Sequence, residues 1–338
     1  VDAHRGTDPD ADAHDRDAVT AGLTRRRALG TTAGLLACAG SGAMVRRAAA
    51  AELAPISIAL IATDPGMQPL YAQDQGFFTA AGLDAAITVL GNSSAIVAAV
   101  AAGTIDVGNA SISVVAFARQ HGIPIRYIAA AGIYTGPPGN TILMVAKTST
   151  IASGADLAGK TIALGALRDL TQFETSAWIE RTGGDAKSVR LIELPYPEMA
   201  TALDQGRADA AALIEPYVTA AKTSARVLAN LSDTMGGPYM VAGWVSSEAW
   251  INRNPDLVKR FVHVMQRSAT WANAHQRASA DILVRYTKIR PEVAATMNRI
   301  RYEEGATIDP AMVQRPVDML VKYGTLSPLS AKDIIASQ

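Results

Sequence analysis

Residues 98–108 read AAVAAGTIDVG and residues 201–211 read TALDQGRADAA. Laid on one another, they set Gly103 over Gly206 and Asp106 over Asp209. Each stretch predicts a helix that ends at a glycine, where the positive φ needed just past the last turn costs little. Each then turns through an aspartate into a strand. A shared helix-turn-strand unit at matching places in two series predicts two similar lobes.

The flanking sequence extends both copies. Residues 56–62 form an apolar run between Pro55 and Asp64-Pro65-Gly66, which predicts a buried strand. A helix over 69–81 is expected to stop at Gly82, followed by a strand at 84–90 and an alanine-rich helix reaching Ala102. A strand at 106–109, a helix at 113–120 and a strand at 125–131 complete this series. The second series predicts strands at 161–165, 189–194 and 208–214, with helices at 171–182, 198–205 and 216–224. Such alternation points to βα units on parallel sheets. Beyond Met240 the pattern is helical, at 255–274, 276–288, 291–300, 310–322 and 330–337. Pro255, Pro291 and Pro310 stand where a first helical turn tolerates proline. The extended segments 141–147 and 239–246 lie at the junctions and are the expected crossings between lobes.

The 338 residues are 49% apolar and 18% charged, which excludes disorder as the main state. Basic and acidic side chains number 31 each, so no strongly basic face exists to displace counterions from a nucleic acid. The one cysteine, Cys38, excludes an internal disulfide framework and a cysteine-rich zinc module. Histidines at 4, 14, 121, 263 and 275 lack metal-ligand spacing, and neither metal nor cofactor is expected.

Residues 1–23 are polar without an apolar period and read as disordered. Thr24-Arg25-Arg26-Arg27-Ala28-Leu29 then leads into the uncharged stretch 28–45, which ends at Arg46-Arg47 and four alanines, 48–51. A basic segment, an apolar stretch and small residues at a cleavage site describe an export signal. The paired arginines resemble a twin-arginine signal, although Ala28 stands where Phe is usual and Gly30 where Lys is usual. A short membrane anchor is the competing reading, opposed by the glycines of the run and its basic flanks. Leu35-Leu36-Ala37-Cys38 resembles a lipoprotein box. Cleavage among residues 48–51 would leave a periplasmic protein, and processing at Cys38 one lipid-anchored outside the membrane.

Six further groups of residues fall in a familiar order. They are Ala72-x3-Gly76-Phe77-Phe78 with Gly82-Leu83, Ala101-Ala102-Gly103-x2-Asp106, Gly122-x-Pro124, Asp156-Leu157-x-Gly159-Lys160, Ala202-Leu203-x2-Gly206-x2-Asp209-Ala210, and Glu215-Pro216. On these residues the chain from Ile56 onward resembles solute-binding proteins of ABC importers, of the nitrate, sulfonate, taurine and thiamine-precursor type. The resemblance implies an α/β, two-lobed fold of the type 2 periplasmic binding proteins. In it two βα sheets are joined by two crossing strands and followed by a helical C-terminal tail. Residues 1–51 would be the leader, 55–143 with 241–338 one lobe, and 144–240 the other. It further implies a monomer that closes on a small molecule and delivers it to a permease and its ATPase in the inner membrane.

Two motifs carry less than they first suggest. Gly154-x4-Gly159-Lys160-Thr161 fits the formal pattern of a nucleotide-binding loop. Such a loop follows a strand and opens a helix, whereas here it precedes the strand at 161–165, so it reads as a turn. Catalytic signatures are missing as well: there is no Gly-x-Ser-x-Gly elbow, no His-Glu-x-x-His and no thiol after residue 51. That opposes the other class open to this fold, a lyase or desulfinase. An effector-sensing lobe pair of a transcription factor would need a DNA-binding segment, and residues 1–54 contain none. His121, beside Gly122, reads as a capping or surface residue.

Ligands of open α/β sheets bind at the carboxyl ends of strands. In the first lobe those loops carry Thr63, Asp64, Asn92, Ser93, Ser94, Asn109 and Ser111. In the second they carry Arg168, Asp169, Thr171, Tyr196, Glu215 and Tyr217, and Trp244 sits on the second crossing. Ser94, Ser111 and Thr171 would each serve equally as helix caps, and Arg168 would serve equally in a surface pair with Asp169 or Glu174. Hydroxyls at helix starts favour a sulfonate or carboxylate. Asp64 and Glu215 would repel a bare anion but hold an ammonium, which the rings of Tyr196, Tyr217 and Trp244 could cage. The set suits an aliphatic sulfonate or a taurine-like zwitterion, with a thiamine-related pyrimidine or nitrate as alternatives.

Overall fold

A computed structural model describes residues 52–323 and 326–337. The expected leader, with Arg25-Arg26 and Cys38, therefore lies outside the described residues. The chain begins with β1 (Ala54–Leu60), α1 (Gln68–Asp74), α2 (Phe77–Ala80), β2 (Leu83–Val89), α3 (Ser93–Ala101) and β3 (Val107–Ser111). Next come α4 (Ile112–Gln120), β4 (Ile125–Ala130), β5 (Gly132–Tyr134), β6 (Thr141–Ala146), β7 (Thr161–Leu164) and α5 (Leu170–Arg181). It continues through β8 (Arg190–Glu193), α6 (Tyr196–Asp204), β9 (Ala210–Ile214), α7 (Tyr217–Ala221) and β10 (Ala225–Asn230). β11 (Tyr239–Met240) and β12 (Ala242–Ser247) lead into α8 (Glu248–Arg253), α9 (Pro255–Ala274) and α10 (Gln276–Tyr286). The chain closes with α11 (Pro291–Thr296), β13 (Arg301–Tyr302) and α12 (Pro310–Lys322).

Two five-stranded sheets, β2-β1-β3-β12-β4 and β8-β7-β9-β6-β10, share one order and build the two lobes. β1 runs parallel to β2 and β3, and β7 parallel to β8 and β9. The fourth strand of each sheet, β12 or β6, is antiparallel to both neighbours. The sheets are therefore mixed, not wholly parallel. The cause is connectivity: a parallel partner needs a crossover, whereas a strand arriving straight from the other lobe enters antiparallel.

The repeated undecapeptide has a physical basis. Gly103 and Gly206 hold φ of +73° and +66° at the ends of α3 and α6. Asp106 donates its N–H to the Ser57 carbonyl at 3.2 Å, and its carboxylate accepts the Ser57 N–H at 2.8 Å. Asp209 makes both bonds to Thr161, each at 2.8 Å. In each lobe the aspartate thus pins its strand to the first strand of that series. The stretch resembling a nucleotide loop is a single turn, Ala155–Leu157, before β7, and Lys160 pairs with Asp209 at 3.6 Å.

Several expectations are corrected by the backbone. The single helix at 69–81 is two, because Gly76 sits in the left-handed region at φ +68°. Segment 141–147 is not a crossing but contains β6, inside the second sheet. The chain passes between lobes at β5 and β11, which pair antiparallel and continue into β13 as a three-stranded sheet. α11 ends at Thr296, short of Ile300, and leaves an extended stretch that enters β13. Residues 330–337 hold one turn, Ala331–Asp333, before Ile335 bridges Tyr127.

The C-terminal helices form no tail; they cover both faces of the first sheet. Phe261, Val264 and Met265 of α9 pack with Ile56, Ile58 and Leu60 of β1. Val313, Val317 and Leu320 of α12 pack on the opposite face with Val115 and Tyr127. In the second lobe Met199 and Leu203 of α6 cover one face, and Trp178 and Ile179 of α5 the other.

Candidate functional site

The parallel strands β1 and β3 of one sheet and β7 and β9 of the other point their carboxyl ends, and β6 and β12 their amino ends, at a cavity of about 40 Å³ between the lobes. Thr63 follows β1, Ser93 opens α3, and Asn109 and Ser111 end β3. From the second lobe, Asp169 and Thr171 open α5 and Tyr196 opens α6. These seven expected residues line the cavity together, and all are buried. The volume suits a compact solute, on the order of a few water molecules in size.

The side chains are fixed from behind. Gly243 of β12 accepts the Asn109 amide at 3.5 Å, and the Ser93 hydroxyl accepts the Ser111 N–H at 3.2 Å. At the end of β7 stands Gly165, where a Cβ would lie 2.4 Å from the Tyr196 ring, so only glycine lets that ring form the wall. Tyr196 stacks on Tyr217, their centroids 5.7 Å apart. Asn140 and Thr141 also line the cavity and were not anticipated. Their N–H groups both bond the Ser232 hydroxyl, at 3.1 and 3.0 Å. Their position beside the first crossing was the available signal.

The lobes meet across this cavity. Ser111 and Ser113 of the first lobe donate their hydroxyls to Asp169 Oδ1, the latter at 3.1 Å. The Leu170 N–H bonds the same oxygen at 2.6 Å, so Asp169 is also the N-cap of α5. Burial pushes the Asp169 carboxyl above the usual carboxylate range, against the pull of these donors. Asp169 is the one charged side chain in the lining. Two buried side-chain atoms among the described residues have no hydrogen-bond partner, Thr171 Oγ1 and Glu174 Oε2, both on α5.

Asp64 and Glu215 lie elsewhere, in an adjoining cavity of about 110 Å³. Neither carboxylate is bare. Arg299 pairs with Asp64 at 3.0 Å, the Ile300 N–H adds a second bond, and burial pushes the Asp64 carboxyl upward against Arg299. Glu215 accepts from the N–H and hydroxyl of Thr219 at 3.0 and 2.9 Å and from the Asn298 N–H at 3.2 Å. The 298–300 stretch was read as helix, which concealed these partners.

Five expected residues stay out of both cavities, and one of them, Tyr217, only backs the site through its stack on Tyr196. Asn92 caps α3 by accepting the Ala95 N–H at 2.9 Å, and Ser94 is exposed. Arg168 is exposed too and pairs with neither Asp169 nor Glu174. Trp244 is fully buried in the first lobe, where its indole N–H bonds Gln68 Oε1 at 2.8 Å and its ring packs edge-on against Phe261. A Trp244→Phe variant is therefore expected to lose about 1–2 kcal/mol of unfolding free energy, because Gln68 loses its donor. Urea unfolding measures that loss, and unchanged solute affinity by calorimetry confirms that the ring is core.

No cluster of three or more His, Cys, Asp or Glu side chains able to hold a metal occurs among the described residues. No helix among them is long and apolar enough to cross a membrane.

The chain is 27% identical over 209 residues to the taurine-binding periplasmic protein of Escherichia coli K12, and spans about 61% of that relative's length. Its fold matches the alkanesulfonate-binding protein SsuA of Xanthomonas axonopodis pv. citri, solved with MOPS. That match has a TM-score of 0.71 at 17% identity and covers 85% of this chain and 99% of the other. The desulfurization enzyme DSZB shares the fold as well, with a TM-score of 0.62 at 17% identity, covering 84% of this chain and 97% of the enzyme. The fold alone thus decides between binding and catalysis no more than folds usually do. The model of the NMT1/THI5-like family matches residues 66–279, more than half of the sequence. The chain belongs to the NMT1/THI5-like family.

Proposed function

We propose that this chain is an exported solute-binding protein that captures a small organosulfonate or taurine-like compound between its lobes and hands it to an ABC permease and its ATPase. The observation that carries this reading is Thr171. Its hydroxyl is buried, lacks a partner, and stands in the first turn of a twelve-residue helix that faces the cavity between the lobes. A buried hydroxyl without a partner is costly, and an acceptor oxygen on a solute at a helix N-terminus relieves that cost. The neutral donors of Ser93, Asn109 and Asn140 around it suit an anion held without a cationic side chain.

Solute contacts to both lobes favour the closed state, with motion about β5 and β11. The relative named for taurine supports the sulfonate class over nitrate and over a thiamine-related pyrimidine. Calorimetry against taurine, ethanesulfonate, nitrate and an aminopyrimidine tests the choice. Taurine or ethanesulfonate is expected to bind, and Thr171→Val to weaken that binding about tenfold. Silence of both sulfonates would overturn the substrate class. Recovery of unaltered solute by mass spectrometry is expected after incubation, and turnover would move the chain to the enzyme class.

A further inference from the structure

We infer that Asp169 selects solutes that carry a positive charge beside their anionic group, so that the protein takes up zwitterions in preference to simple anions. The inference rests on the reading of the cavity as a solute site. The two oxygens of the Asp169 carboxylate differ. Among the described residues, Ser111, Ser113 and the Leu170 N–H all bond Oδ1 of Asp169, and no hydrogen bond falls on Oδ2. Asp169 lines the cavity, nine-tenths buried, and no Lys, Arg or His shares the lining. A carboxylate whose second oxygen is reachable and takes no bond from the protein, with no counter-charge beside it, is a strong acceptor for an ammonium and an obstacle to a bare anion.

The opposite deficiency lies two residues away. Thr171 presents a buried hydroxyl with no acceptor, on the same turn of α5 and in the same cavity. The two unmatched groups differ in kind: one is an acceptor needing a cationic donor, the other a donor needing an acceptor. A single solute satisfies both only if it carries an ammonium and an anionic oxygen a short distance apart. The small volume limits the spacer to a few atoms. Asp64 and Glu215 take no part, since protein groups already occupy their oxygens.

Asp169 also closes the cleft. Its Oδ1 holds two serines of the opposite lobe, so an ammonium on Oδ2 pairs with the carboxylate without breaking that contact. An anion lacking the ammonium meets the same carboxylate uncompensated.

The test uses two isosteric pairs, each differing in ammonium against hydroxyl: taurine with isethionate, and β-alanine with 3-hydroxypropionate. Calorimetry on the wild-type protein is expected to favour taurine over isethionate by about 10- to 100-fold. In Asp169→Asn that preference is expected to fall to within about threefold, with isethionate binding no worse than before. Equal affinity for taurine and isethionate in the wild type overturns the role of Asp169 and leaves the sulfonate reading standing. Silence of both sulfonates, with β-alanine preferred over its partner, overturns the sulfonate reading and supports Asp169. Silence of both pairs overturns both. The wild-type comparison decides even if the variant fails to fold.

Discussion

Replacing Arg299 by methionine is expected to destabilise the protein by about 3–5 kcal/mol. The Arg299–Asp64 pair is the most buried ion pair among the described residues, with side chains 7% and 1% exposed. Arg299 also donates to the Tyr71 hydroxyl at 2.6 Å, the Ser279 hydroxyl at 2.8 Å and the Gln276 carbonyl at 3.2 Å. Methionine fills similar space but leaves the Asp64 carboxylate buried without a counter-charge. In a protein of this size the loss should lower Tm by about 10 °C. Scanning calorimetry or urea unfolding reads it directly. The double variant Asp64→Asn, Arg299→Met should recover much of the loss, because no charge is then stranded. Additive losses in the cycle would show that Arg299 matters only for its packing.

Glu174→Gln is expected to act in the opposite direction, with an effect that grows as pH rises from about 4.5 to about 7. The Glu174 side chain is fully buried, one oxygen accepts the Tyr239 hydroxyl, and the other has no partner. Burial pushes its carboxyl up from 4.5 to about 7, opposed by the bonds from Tyr239 and Thr141 and reinforced by Asp169. The folded state therefore holds this proton more tightly than the unfolded chain does. The resulting stabilisation is complete below about pH 4.5 and fades as pH rises through 7. The gap between 4.5 and about 7 corresponds to about 3 kcal/mol. Wild type and variant should match at pH 4.5, and the variant should be more stable by up to about 3 kcal/mol at pH 8. A difference that stays constant between these pH values would exclude Glu174 as the titrating group.

What the sequence could disclose follows the reach of each interaction. The undecapeptide echo and the apolar runs report bonds within a βα unit, and both lobes and most strands follow from them. α9 and α12 match the expected spans at both ends, because a proline in each first turn marks the start locally. The antiparallel placement of β6 and β12 left no local signal, since each gains its neighbours from distant parts of the chain. Seven site residues reached the cavity because strand ends point there in this class of fold. Asp64 was misassigned because its partner stands 235 residues further on, in a stretch read as helix. Trp244 was misplaced for a similar reason: its strand belongs to the first sheet, and Gln68 waits there 176 residues earlier in the chain. The serine partners of Asp169 left no local signal, because only the folded cleft brings Ser111 and Ser113 onto it.

The return of β12 to the first sheet also sets the order in which the nascent chain can fold on the ribosome. All strands of the second sheet lie in one continuous run from β6 to β10, so that lobe has its complete ladder once Asn230 has emerged. The first sheet has only four of its five strands by Ala130 and waits for β12, which begins at Ala242. At ordinary synthesis rates the interval is on the order of ten seconds, and the covering helices α9 and α12 come later still. Throughout it the parts of the first sheet that α9 and α12 later cover remain exposed, so chaperone capture during synthesis should concentrate on the N-terminal half of the chain.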